Sequence, residues 1–145
     1  MDTRPVTPMI RRATAADAAA LLALTRAFAV SFPVEEAAFS ASLAQLLTAT
    51  DAFLAVAELG GSIAGYVLAF DHVALYAGGR VAWVEEIMVQ VERRRSGIGA
   101  ALMRAAEAWA RDRDCRLVAL ATRRAGPFYT ALQYEESAIY YRKVL

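Results

Sequence analysis

Between Val81 and Ala121 the apolar period changes twice, and that double change constrains the fold more than any other feature of the chain. Val81 to Val91 is rich in β-branched and aromatic residues and reads as one long strand. From Gly97 onward the period lengthens: Ile98, Leu102, Ala106 and Trp109 lie on one face of a helix. Arg116 to Ala121 is then a short apolar strand. A strand, a helix and a strand in this order make a right-handed crossover with parallel strands.

The chain before this unit is built differently. Phe53 to Ala57 is a buried strand by length and composition, Gly60-Gly61 is a hairpin signal, and Ser62 to Phe70 returns as the next strand. Upstream, a short strand is expected around Met9 to Ala13. Thr14 and Asp17 then form a capping-box pattern ahead of the helically spaced Leu21, Leu24 and Phe28. Pro33 closes that helix, and a second runs from Glu35 to Leu47. After the crossover come a brief helix from Gly126 to Leu132 and an extended stretch from Glu136 to Val144. The expectation is one α/β domain over residues 1–145, with a mixed, mostly antiparallel sheet of six to seven strands flanked by about four helices.

Composition narrows the function. The hydrophobic fraction of 58% is inflated by alanine, and no apolar run approaches the roughly 18–20 residues that span a bilayer. Met1-Asp2-Thr3-Arg4-Pro5 lacks the pattern of a secretory signal, so the cytoplasm is the expected compartment. A formal charge of +1 gives no overall field for nucleic acid or anionic membrane, and neither is expected as a partner. One cysteine, Cys115, and one histidine, His72, argue against a disulfide and against a metal site.

The chemistry is concentrated where the long strand gives way to the helix, in Val89-Gln90-Val91-Glu92-Arg93-Arg94-Arg95-Ser96-Gly97-Ile98-Gly99-Ala100. A helix N-terminus offers unpaired N–H groups and the positive end of a dipole, both favourable to an anion. Gly97 and Gly99 remove side chains where a phosphate would approach the backbone, and Arg94 and Arg95 add charge of suitable geometry. The string resembles the acetyl-CoA-binding motif of the GNAT superfamily, Gln/Arg-x-x-Gly-x-Gly/Ala, with Arg94, Gly97 and Gly99 at its defining places. The likeness extends back over Glu85-Glu86-Ile87-Met88-Val89 and forward over Gly126 to Tyr134, and the tail Tyr140-Tyr141-Arg142-Lys143 is similar to many family endings. Three departures stand out. Val91 replaces a common proline and Gln133 a common glycine, while Arg123 and Arg124 occupy the region of a usual asparagine.

The resemblance implies an N-acetyltransferase that uses acetyl-CoA as co-substrate, without a metal. Residues Arg94, Arg95, Ser96, Gly97, Ile98, Gly99 and Ala100 would hold the pyrophosphate end, and backbone groups of Ile87, Met88 and Val89 the pantetheine arm and thioester carbonyl. An amine must lose a proton before it attacks, because an ammonium with pKa near 10.4 is not a nucleophile. Glu85 is the expected base, directly or through a water: strand neighbours point to opposite faces, and the resemblance favours it over Glu86. A bulge would reverse that parity argument. Tyr129, the helix-borne tyrosine of the resemblance, is the expected proton donor to the departing thiolate. The plain alternative is a core tyrosine beside Phe128.

Two other functions compete. A non-catalytic acetyl-CoA-binding module would keep the loop and be indifferent to Glu85 and Tyr129. Nucleic-acid binding through Arg93, Arg94 and Arg95 conflicts with the near-neutral charge. The acceptor is expected to be a small-molecule or peptide amine, with Glu35, Glu36, Asp71, His72 and Tyr76 in or near the acceptor region. The terminal extended segment is suited to pairing with a second copy, so a homodimer is also expected.

Overall fold

Every residue of the strand Ala52–Leu59 except Glu58 is buried, so this strand must be covered on both faces. It is the second of five. The computed structural model describes residues 7–145, and the N-terminal Met1 to Pro5 read above lies outside them. The strands β1 (Met9–Arg12), β2 (Ala52–Leu59), β3 (Ser62–Ala74), β4 (Gly79–Val89) and β5 (Val118–Leu120) lie in sheet order 1-2-3-4-5. The first four are antiparallel neighbours, and β5 joins β4 in parallel, as the crossover requires. The helices are α1 (Ala18–Phe28), α2 (Glu36–Thr48), α3 (Ile98–Asp112) and α4 (Gly126–Ala131).

Each face of the sheet has its own core. On one side Ile98, Leu102, Met103, Ala106 and Trp109 of α3 pack against Ala55, Val67, Ala69 and Val84. On the other, Leu21 and Leu24 of α1 and Leu43 of α2 pack against Leu54, Val56, Tyr66, Leu68 and Met88. The start of α1 is fixed by polar contacts that the Thr14/Asp17 pattern anticipated. The Thr14 N–H donates to Asp17 Oδ2 at 2.8 Å, and Arg11 clasps the same carboxylate through both terminal nitrogens at 2.8 and 2.9 Å.

A second buried carboxylate, Asp71 near the end of β3, joins parts far apart in sequence. Its side chain is fully buried and accepts from Arg80 Nε of β4 at 2.7 Å and from Arg113 Nε, just past α3, at 2.6 Å. Arg113 also lies over the Trp109 ring, and the Cys115 thiol faces Asp71 Oδ2 at 3.9 Å. Burial pushes the Asp71 pKa up, but the two guanidiniums outweigh burial and hold it down to about 2.

The sheet has five strands among the described residues, not the six to seven expected. The difference lies in the tail: residues 136–144 form no ladder. Side chains hold the tail instead, with Tyr140 stacked on Trp83 at 6.2 Å and Arg142 Nη1 donating to Ser31 Oγ at 2.6 Å.

Candidate active site

The register of β4 against β3 slips once. Leu68 faces Glu86 and Ala69 faces Val84, so Glu85 is an extra residue with no partner. This is a β-bulge, and it changes which residues share a face. Before it, Ala82 and Val84 point toward α3; after it, Ile87 and Val89 do, while Met88 packs with the α1/α2 core. Glu86 lines a pocket beneath α1 and α2 together with Thr25, Glu35 and Tyr66. The expected separation of the two glutamates onto opposite faces is therefore removed. Glu85 is exposed and accepts from Trp83 Nε1 at 2.8 Å, whereas Glu86 is half-buried and accepts from the Tyr66 hydroxyl at 2.8 Å.

Burial pushes the Glu86 pKa up. The hydrogen bond from Tyr66 opposes that shift, and the neighbouring Glu85 charge reinforces it. Tyr66, only 2% exposed, has its own pKa raised by burial and by the adjacent carboxylate, so it stays protonated and donates. Of the acceptor-region residues read from sequence, Glu35 lines the pocket, Asp71 is spent in its arginine clamp, and His72 and Tyr76 are exposed beyond it.

The bulge also marks where β4 and β5 part. Their last paired residues are Val84 and Leu120, and beyond them β4 continues through Ile87, Met88 and Val89 without β5 beside it. Past the end of β5 at Leu120, this open stretch of β4 leads to the loop before α3. A single helical turn at Val91–Arg93 is followed by Arg95 and Gly97, both with left-handed backbones at φ 62° and 87°. Gly97 is the N-cap of α3, and nothing lies within 4 Å of where a side chain would begin. The first-turn N–H groups from Ile98 to Ala100 have no partner within the helix, and no side chain caps them. Arg94 folds back on the strand end, with Nε donating to the Val89 carbonyl at 3.3 Å and Nη2 at 3.7 Å from Met88 Sδ. Ser96 closes the loop by donating to the Arg93 carbonyl.

Gly99 also has a packing role that its position in the motif did not suggest. A Cβ there would come within 3.2 Å of the Phe128 ring, so the glycine makes room for α4 to seat against α3. Phe128 in turn meets Tyr129 edge-on at 4.9 Å, and Tyr129 meets Tyr134 at 5.9 Å. Tyr129 is 8% exposed, and burial raises its pKa, so its hydroxyl is protonated at neutral pH. Gln133 adopts φ 71° where the resemblance would place glycine, so the turn keeps its left-handed form without that residue. Arg123 and Arg124 are exposed on the loop before α4. Ile98 is 1% exposed and can meet a ligand only through its backbone.

The profile of the acetyltransferase (GNAT) family matches residues 20–134. An aminoglycoside N(6')-acetyltransferase type 1 from Stenotrophomonas maltophilia is 35% identical over 148 aligned positions, which cover 95% of this chain and 94% of that one. The chain belongs to the acetyltransferase (GNAT) family. By that membership it is an N-acetyltransferase. The GNAT fold is shared with a transcriptional regulator from Bacillus halodurans, at TM-score 0.87 and 22% identity over 95% of this chain and 99% of that one. It is shared also with AAC(6')-Iy bound to a CoA-linked bisubstrate analogue, at TM-score 0.80 and 23% identity over 95% and 99% of the two chains. Sequence reasoning set Glu86 behind Glu85 and did not single out Tyr66, and the structure brings these two together at the pocket. The adjacent pair of acids was legible in the sequence, but which of them reaches the pocket depends on the bulge. Tyr66 carried no signal of its own.

Proposed function

We propose that the protein transfers the acetyl group of acetyl-CoA to a primary amine, with Glu86, in place of Glu85, receiving the amine's proton. The observation that carries this reading is the position of Glu86, in a pocket two residues past Val84, the last residue of β4 that pairs with β5. An amine held there sits beside the open stretch of β4 in which the Ile87–Val89 backbone would hold the pantetheine arm. The open, left-handed Gly97, the first turn of α3 and the neighbouring Arg94 and Arg95 fit a pyrophosphate. The whole chain acts as one catalytic domain in this reading.

The reaction balances through the chain's own groups. The ammonium gives a proton to Glu86 directly or through a water, and the freed nitrogen forms a bond to the thioester carbon. The attacking nitrogen gives up its second proton to water, the C–S bond breaks with its electron pair on sulfur, and Tyr129 protonates that thiolate; Tyr129 then regains a proton from solvent and Glu86 releases its own there. Backbone N–H groups near Met88 and Val89 would steady the tetrahedral oxyanion. The relative from Stenotrophomonas maltophilia, named for an amine at a sugar 6' position, supports a primary amine as acceptor.

Calorimetric titration with acetyl-CoA tests the cradle. Gly97→Glu puts bulk and negative charge where the phosphates belong and is expected to abolish binding. Gly97→Asn tolerates the left-handed backbone and retains most of it. Equal affinity in a folded Gly97→Glu protein would sink the cradle assignment. Tyr129→Phe is expected to leave acetyl-CoA affinity intact and slow turnover by about ten- to a thousand-fold. Unchanged turnover would return Tyr129 to the core.

A further inference from the structure

The pocket that receives Glu86 is mostly apolar. Its volume is about 280 Å³, and its walls are Leu21, Phe39, Leu43, Leu46, Leu54 and Leu68. Among its described lining residues the charged groups are two carboxylates: Glu86 at the sheet and Glu35 at the rim. Thr25, Ser42 and Tyr66 are the remaining polar side chains, and Tyr66 already donates to Glu86. The rim is shaped by the connection between α1 and α2, where Arg26 Nε donates to the Val34 carbonyl at 3.3 Å.

These walls suit one kind of acceptor. A polyhydroxylated amino sugar with several ammonium groups needs a carboxylate or hydrogen-bond partner for each group that leaves water, and an unmatched hydroxyl or charge is penalised. Leucine and phenylalanine supply none. An apolar body gains from each ångström of the same surface it covers. Size agrees: a cavity of roughly 150 Å³ accepts benzene, and drug-sized ligands occupy roughly 300–1,000 Å³. We infer that the acceptor carries a single primary ammonium, held at Glu86, on a compact apolar body such as a phenyl ring or branched alkyl group on a short chain. This narrows the amine-acetylation reading above and rests on it. It also departs from the aminoglycoside specificity in the name of the 35% identical relative.

The test is steady-state thiol release by the purified protein with acetyl-CoA and three amines: 2-phenylethylamine, 3-methylbutylamine and kanamycin. The expected result is a kcat/KM at least about fifty-fold higher for the two apolar amines than for kanamycin. Phe39→Ala, a change in the half-buried wall of α2, is expected to raise KM for 2-phenylethylamine by about ten-fold with kcat nearly unchanged, because it removes binding shared by ground and transition states. Kanamycin turned over as well as the apolar amines would overturn the inference and leave amine acetylation standing. An unchanged KM in a folded Phe39→Ala protein would overturn it too. Failure to acetylate any of the three, with acetyl-CoA affinity intact, would remove the underlying reading and the inference with it.

Discussion

Glu86→Gln is expected to lower kcat by about 10²- to 10⁴-fold while acetyl-CoA affinity stays within a factor of two or so. Glutamine keeps the size of the side chain and can still accept from the Tyr66 hydroxyl, so the pocket is preserved and only the proton acceptor is lost. The pH profile gives an independent check. Burial, reinforced by Glu85, raises the Glu86 pKa against the pull of Tyr66, and activity should fall as pH drops through that raised value. The acid limb should vanish in Glu86→Gln. Glu85→Gln removes a neighbouring negative charge, so it should move the limb to lower pH with little loss of maximal rate. The opposite pattern, a dead Glu85→Gln beside an active Glu86→Gln, would return the base to Glu85.

The second large effect concerns stability and lies far from the pocket. Asp71→Ala is expected to destabilise the fold by about 2–4 kcal/mol, less than the ~3–5 typical of breaking a fully buried pair. The discount follows from the partners: the Arg80 and Arg113 side chains are 34% and 31% exposed and can turn to water when the carboxylate is gone. Linkage supplies the pH dependence. The folded Asp71 pKa of about 2 lies below the ordinary 3.8, so its ionisation contributes about 2 kcal/mol that is fully present above pH ~4. That contribution is lost as pH falls toward 2, where both folded and unfolded forms become protonated. Thermal melts at pH 7 should show a Tm lower by roughly 6–14 °C, and the gap should narrow at pH 3. Equal melting at pH 7 would mean that the clamp contributes nothing net.

The two proteins compared in each experiment differ in features of very different legibility. Gly97 was readable because a basic, glycine-bearing loop between a long strand and a long helix leaves few alternatives, and its left-handed backbone at a helix start is what such a residue supplies. The parallel crossover was readable from the change of period alone. The choice between Glu85 and Glu86 was not, since a bulge inserts one residue without any residue type that announces it. Asp71 was hidden for another reason: its clamp joins positions 9 and 42 residues away, and local pattern carries no trace of such a pairing. Gly99 has a packing reason that its place in the motif did not announce, room for Phe128, a contact across 29 residues. The tail misled because the β-branched and aromatic cluster Ile139-Tyr140-Tyr141 favours extension whether or not a strand edge is there to meet it.

The extra residue in β4 can be viewed as a frameshift written into a single strand. Upstream of Glu85 one set of alternate positions faces α3; downstream the other set does. A strand in uniform phase would have to give up something. Either Val84 or Ile87 would leave the α3 core, or Glu86 would trade places with its apolar neighbours and lose Tyr66. By changing frame midway, one continuous segment keeps an unbroken hydrophobic seam on one side and delivers a carboxylate to the other. The acid therefore sits in the strand without interrupting the packing behind it, and the pocket side is free to vary while the seam stays constant.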